Sequence, residues 1–218
     1  GFPTYENDEA IIASLMNQPE YTLEDARDYA ASGCWEVTIQ GKAFNRNLGG
    51  ICCLRCLEWA LNNGQYFLGV PNEETAQGLI GDRYGIPTGK LEWFDSYRKL
   101  FNAFKVQMKH NIDMVSSYLN RAMISPSPFY SSMMEDCLEK GKDFDEYGVR
   151  YTETDFQLSA LSNCADALYA IRKLVYEDKE YTLKEFVEIL KNNWESHEQL
   201  RQRILNELPK FGNNVREV

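Results

Sequence analysis

Thr22-Leu-Glu-Asp-Ala-Arg-Asp-Tyr-Ala-Ala-Ser-Gly-Cys-Trp-Glu-Val-Thr-Ile-Gln40 is the stretch on which the reading of this chain turns. Thr22-Leu-Glu-Asp25 has the form of a capping box and predicts a short helix running towards Ala31, stopped by Ser32-Gly33. From Gly33 the composition changes, and Trp35, Val37, Thr38 and Ile39 favour an extended run. In an extended segment residues i and i+2 share a side, so the Cys34 sulfur and the Glu36 carboxylate converge on one bound molecule. That pairing sets a reactive sulfur beside a proton-transfer group. Gly33 before it and Gly41 after it predict a loop that can enter a pocket. Cys-x-Glu is common by accident, and on these residues alone a buried Cys and a surface Glu on an ordinary turn is the favoured reading.

Working outward, a Gly- and Asn-rich loop is expected from Gly41 to Gly50, followed by a helix over Ile51-Cys-Cys-Leu-Arg-Cys-Leu-Glu-Trp-Ala-Leu-Asn-Asn-Gly64 that ends on its glycine. Gly64 to Lys90 is rich in turn residues and reads as a connection. The longest apolar period, without Gly or Pro, runs from about Trp93 to Met123 and predicts the longest helix. Ser125-Pro-Ser-Pro128 breaks it, and a helix is expected from about Phe129 to Lys140, before Gly141. Gly148-Val-Arg-Tyr151 predicts a short strand and Ala160 to Tyr176 a helix. Thr182-Leu-Lys-Glu185 is a second capping box opening a helix to about Asn193, and a last helix is expected over Glu195 to Leu208.

The 218 residues carry 44% hydrophobic content, enough to bury a core, and a net charge of −10. An acidic chain does not neutralise nucleic-acid phosphates, so neither nucleic acid nor an anionic membrane is an expected partner. No stretch has the length of a spanning helix, and the first residues lack the basic and apolar parts of a secretion signal, so a soluble, cytoplasmic protein is expected. The spacing of the six cysteines does not suggest a disulfide framework. Cys53 and Cys56 form a CxxC, but the two histidines, His110 and His197, supply no second ligand pair at zinc spacing. Cys52, Cys53, Cys56, Cys137 and Cys164 are therefore read as packing residues, with no metal expected.

A series of motifs in order resembles the glycyl radical enzyme family, of the pyruvate formate-lyase-like kind. Pro3-Thr-Tyr-Glu-Asn-Asp-Glu9, Asp25-Ala-Arg-Asp-Tyr-Ala30 and Gly33-Cys-Trp-Glu36 with Gly41-Lys42 look like that family's approach to its active-site cysteine loop. Leu57-Glu-Trp-Ala-Leu-Asn-Asn-Gly64 looks like its next helix. Pro128-Phe-Tyr-Ser131, Asp136-Cys-Leu-Glu-Lys-Gly-Lys142, Asn163-Cys-Ala-Asp166, Ala170-Ile-Arg-Lys173 and Pro209-Lys-Phe-Gly-Asn213 resemble its later signatures.

What the resemblance implies is specific. The fold would be α/β, the helix-rich part of a ten-stranded α/β barrel, with residues 1–218 a fragment of the catalytic barrel domain. The cysteine loop would occupy about 31–50 and second-half barrel helices 51–218. Cys34 matches the thiyl-radical cysteine, and Glu36 the acid/base glutamate of the lyase and dehydratase branches. The adjacent Cys52-Cys53 does not take the role of the paired cysteines of pyruvate formate-lyase, because it lies downstream on a predicted helix. No Arg-Val-x-Gly-Tyr motif occurs in the chain, so the stored glycyl radical, the one cofactor implied, would lie outside these residues. Implied partners are a small-molecule substrate, a radical S-adenosylmethionine activating enzyme, and a second copy of the full-length protein.

Trp35 stands where the family most often has a small aliphatic residue, and Leu48 falls where polyol dehydratases carry a polar group. These departures favour a decarboxylase or another carbon–carbon or carbon–heteroatom lyase over a diol dehydratase. Glu153 and Asp155 alternate on a probable strand and could add a carboxylate to the pocket, with Trp35 as a further substrate contact. A solvated pair is the favoured reading of the two carboxylates. The competing reading of the whole chain is a helical structural or interaction fragment without catalysis of its own.

Overall fold

A computed structural model of the chain describes residues 7–32, 36–66, 84–119 and 126–216, the side chains at 46–49, 118–119 and 154–156 excepted. The chain is mixed α/β and falls into two compact units. One comprises residues 1–49 and 120–156, the other 50–119 and 157–218.

In the first unit α1 (Asp8–Met16) is capped by Asn7, whose side chain accepts from the Ala10 amide. Next comes α2 (Leu23–Arg27), capped by Thr22, which accepts from the Asp25 amide. The helix expected to reach Ala31 thus stops at Arg27. Residues Tyr29–Ser32 form strand β1, which pairs antiparallel with β2 (Glu36–Ile39) in the register Tyr29↔Ile39, Ala30↔Thr38, Ala31↔Val37 and Ser32↔Glu36. Strand pairing satisfies backbone groups that a frayed last turn would leave open, and it outweighs the helical preference of two alanines. Ile39 and Val37 join Leu15, Tyr21, Ala26, Ala43 and Tyr151 in one apolar cluster.

Gly41, at φ +73°, turns the chain from β2 into β3 (Ala43–Cys52). This corrects the expected Gly41–Gly50 loop: beyond the Gly41 turn, its asparagines and its other glycines lie in a ten-residue strand paired with β4 (Tyr151–Ser159). The short strand predicted at Gly148–Tyr151 is likewise displaced, beginning where the other ends. The helix predicted from Phe129 to Lys140 is two single turns, α5 (Pro128–Ser131) and α6 (Cys137–Lys140). Asp136 at φ +71° interrupts them, a left-handed conformation no continuous helix contains. Met134, Cys137, Phe144 and Val149 form a small core there, with Phe44 edge-on to Phe144 at 4.4 Å between centroids.

The second unit is helical. Helices α3 (Cys53–Leu61), α4 (Tyr97–Leu119), α7 (Leu161–Ile171), α8 (Leu183–Lys191) and α9 (Glu198–Asn206) enclose its main core, with Leu100, Leu174 and Val187 wholly buried. α4 is the longest described helix, as its apolar period predicted. Thr182 and Glu185 form the predicted capping box of α8. Cys53, Cys56 and Cys164 are buried, and burial pushes all three thiols up.

Gly64 ends the turn after α3 at φ +84°, and its oxygen accepts from the Tyr84 and Gly85 amides. The two glycines nearly touch: a Cβ on Gly64 would lie 2.6 Å from the Gly85 oxygen, and one on Gly85 3.0 Å from the Gly64 Cα. The returning segment is stitched down by side chains. Asn63 Oδ1 accepts from the Thr88 and Gly89 amides, and the fully buried Gln107 of α4 accepts from the Ile86 amide and donates to the Ile86 carbonyl.

Candidate active site

The hairpin β1–β2 frames the predicted cysteine loop. Ser32 and Glu36, which flank Gly33-Cys-Trp35 in sequence, are paired across it. The predictions on Cys34 and Trp35 lie outside the described residues, as does that on the Leu48 side chain, although residue 48 belongs to β3. Glu36 is half-buried at the head of β2. Because side chains alternate along a strand, Val37 and Ile39 face the apolar cluster while Glu36 and Thr38 face away from it. Glu36 thus lies on the face of its strand opposite that core.

Glu153, in β4, is half-buried, and its carboxylate accepts from the Tyr21 hydroxyl at 2.7 Å. That bond replaces the solvated setting favoured from sequence. Asp155 continues the same strand, and the prediction on its side chain lies outside the described residues.

Sequence reasoning missed the charged network beside these residues. Asp25 is 4% exposed, yet its carboxylate accepts from Lys42 Nζ and from the Tyr151 hydroxyl, each at 2.5 Å. Tyr151 stacks on Tyr21 at 4.2 Å and 10° between planes, so the ion pair continues through two rings to Glu153. The Lys42 ammonium and the Tyr151 hydroxyl hold the Asp25 carboxyl down at about 2. Asp25 in turn raises Lys42, and burial together with a carboxylate partner raises both tyrosines. At neutral pH the group is a carboxylate in direct contact with an ammonium, with two neutral phenols running from that carboxylate towards Glu153. The available signal was a Lys directly after a turn glycine and an Asp repeated through Asp25-Ala-Arg-Asp28, both of which also suit ordinary capping and surface roles.

In the second unit an apolar groove of about 400 Å³ is lined by residues that include Leu57, Ile171, Phe186, Trp194 and Ile204. Of the predicted site residues whose side chains are described, Glu36 and Glu153 do not line it. Among the described residues no cluster of three metal-ligating side chains occurs, and no helix is long and apolar enough to cross a membrane.

The model of the pyruvate formate lyase-like family matches residues 1–218. The chain belongs to that family. It is 32% identical to a trans-4-hydroxy-L-proline dehydratase of Clostridioides difficile over 98% of its length, and 28% identical to an indoleacetate decarboxylase of Tractidigestivibacter scatoligenes over 89%. The solved structure of the glycerol-bound, B12-independent glycerol dehydratase of Clostridium butyricum superposes on 99% of the chain with a TM-score of 0.81 at 30% identity. These three proteins are covered to 26%, 22% and 26% of their own lengths, so the chain spans about a quarter of its relatives. Its fold is part of the glycyl radical enzyme barrel, and its family-model match and its relatives are those of glycyl radical lyases and dehydratases. The pyruvate formate lyase-like motifs quoted from the sequence therefore do mark the family, and the cysteine hairpin lies in the unit that also holds the Asp25–Lys42 pair.

Proposed function

We propose that this chain is the cysteine-loop part of an anaerobic glycyl radical lyase, with residues 1–218 belonging to one catalytic barrel domain. What supports this is the hairpin whose paired ends, Ser32 and Glu36, bracket Cys34 in a chain of this family. A glycyl radical, which this reading puts outside these residues, would supply one-electron chemistry at the Cys34 thiol. The Cys34 sulfur then takes a hydrogen atom from a substrate carbon. Glu36, two residues after Cys34 and on the face of β2 away from the apolar cluster, moves a proton at the neighbouring carbon as the bond there breaks. A narrow cysteine loop inside a barrel also keeps solvent from the radical.

Trp35 replaces the small aliphatic residue usual at its position in the sequence, and Leu48 stands at the position where polyol dehydratases carry a polar group that assists the loss of a hydroxyl. They favour decarboxylation, or cleavage of another carbon–carbon or carbon–heteroatom bond, in a substrate with an apolar or aromatic body. Glu153 and Asp155 are proposed as further substrate contacts. The second reading, dehydration, draws on the similarity to dehydratases of hydroxyproline and glycerol. The proposed setting is cytoplasmic, with a radical S-adenosylmethionine activating enzyme as partner and a homodimer of the full-length protein.

The test uses the full-length protein with its activating enzyme. Cys34→Ala is expected to abolish turnover while the glycyl radical signal in electron paramagnetic resonance persists. Loss of that signal would assign Cys34 a different role. Rapid turnover of a small diol, with none of an aryl-acetate, would establish dehydration and overturn the branch assignment while leaving the radical mechanism in place.

A further inference from the structure

The Asp25–Lys42 pair occupies a distinctive place in the hairpin. Asp25 lies in α2, just before β1, and Lys42 follows the turn that ends β2, so the two residues meet across the open end of β1–β2, opposite the end that leads into residues 33–35. The same end is tied to other elements by backbone bonds. The Lys42 oxygen accepts from the Tyr151 amide at 2.9 Å, and the Gly41 oxygen from the Glu135 amide at 2.7 Å. The Asp25 carboxylate thus joins α2, the β2–β3 turn and β4 through two side chains that approach it from different elements.

An ion pair with its carboxylate buried and its ammonium half-buried is a poor way to gain stability, because desolvation of the charges offsets much of their attraction. What it supplies is direction. The carboxylate has both donors satisfied only when β1, β2 and β4 keep one mutual alignment, and a slip of one residue would turn each strand's side chains to the opposite face. Such a slip would carry Glu36 to the side of the apolar cluster.

We propose that Asp25 is a positioning residue: bound by Lys42 and Tyr151, its carboxylate clamps the open end of the β1–β2 hairpin to β4 and so sets where that hairpin holds Glu36 and presents Cys34. This rests on the proposed roles of Cys34 and Glu36. Through the Tyr151–Tyr21 stack the same clamp reaches Glu153, so the two flanks of the candidate site share one anchor.

The test uses the unactivated full-length protein kept without oxygen, where no radical step is involved. Two readouts are taken: the rate at which iodoacetamide alkylates Cys34, followed by peptide mass spectrometry, and hydrogen exchange of residues 29–39. Asp25→Asn is expected to change the alkylation rate by about five- to thirtyfold and to raise exchange in both strands, the scale of a broken local contact. Tyr151→Phe keeps the ring and removes one donor; it carries the same prediction with a smaller change should Asp25→Asn fail to fold. Val187→Ala, in the core of the other unit, serves as the control for lowered stability. It is expected to leave both readouts within about twofold of the parent protein, the scatter of independent distant sites. An alkylation rate unchanged in Asp25→Asn and Tyr151→Phe, or an equal change in Val187→Ala, would overturn the clamp. Failure of the radical reading would instead appear as turnover by Cys34→Ala, a result that leaves these rates untouched.

Discussion

Replacing Gln107 by Leu tests how the segment after Gly64 is held. Gln107 is wholly buried in α4, accepts from the Ile86 amide at 3.2 Å and donates to the Ile86 carbonyl at 2.7 Å. Leu fills nearly the same volume but offers neither group, so one backbone donor and one acceptor lose their partners in a buried setting. Each such loss costs about 1–3 kcal/mol. At the middle of these ranges, two losses of about 2 kcal/mol each less about 1.5 kcal/mol from the added apolar burial leave a net of about 2.5 kcal/mol. The cost is local, because residues 84–90 are otherwise held by Asn63, Gly64 and His110. Native-state hydrogen exchange on the full-length protein reads it directly: the Ile86 amide is expected to exchange about five- to a thousandfold faster, while amides in the middle of α4 keep their protection. Protection of Ile86 within about twofold of the parent would refute the reasoning, since the bond assigned to Gln107 would then contribute nothing.

Gly64→Ala is expected to destabilise the second unit by about 2 kcal/mol or more, because φ +84° disfavours any Cβ and the Gly85 oxygen lies 2.6 Å from where one would stand. A thermal midpoint equal to the parent's would contradict that geometry. Asp25 predicts an acid dependence. Its folded value of about 2 lies below the unfolded range near 4, so its contribution is present above pH about 4 and is lost as pH falls through about 2. Exchange of the Tyr151 amide, corrected for intrinsic rate, should therefore differ between parent and Asp25→Asn most at neutral pH and converge towards pH 2; parallel profiles would show that the charge of Asp25 is not what holds this bond.

Local chemistry was legible in the chain without coordinates. Thr182 and Glu185 announce a helix start because a capping box needs only residues three apart, and the apolar period of α4 survives because one helix face must meet a core whatever lies beyond it. The family was legible too, since its motifs are short and ordered. The errors fell where pairing across the chain decided the outcome. Tyr29-Ala-Ala-Ser32 reads as helix by propensity and is strand because Glu36–Ile39 is there to pair with it. Ala43–Gly50 reads as loop by its glycines and asparagines and is strand because β4 supplies the partner more than a hundred residues later. The same holds for the candidate site. Cys34 and Glu36 could be proposed from one three-residue motif, Cys34-Trp-Glu36. The network that runs from Asp25 and Lys42 through Tyr151 and Tyr21 to Glu153 could not: strand alternation alone makes Glu153 a candidate, but hydrogen bonds between residues up to 132 positions apart leave no periodicity in the sequence, and only the folded chain brings those five side chains together.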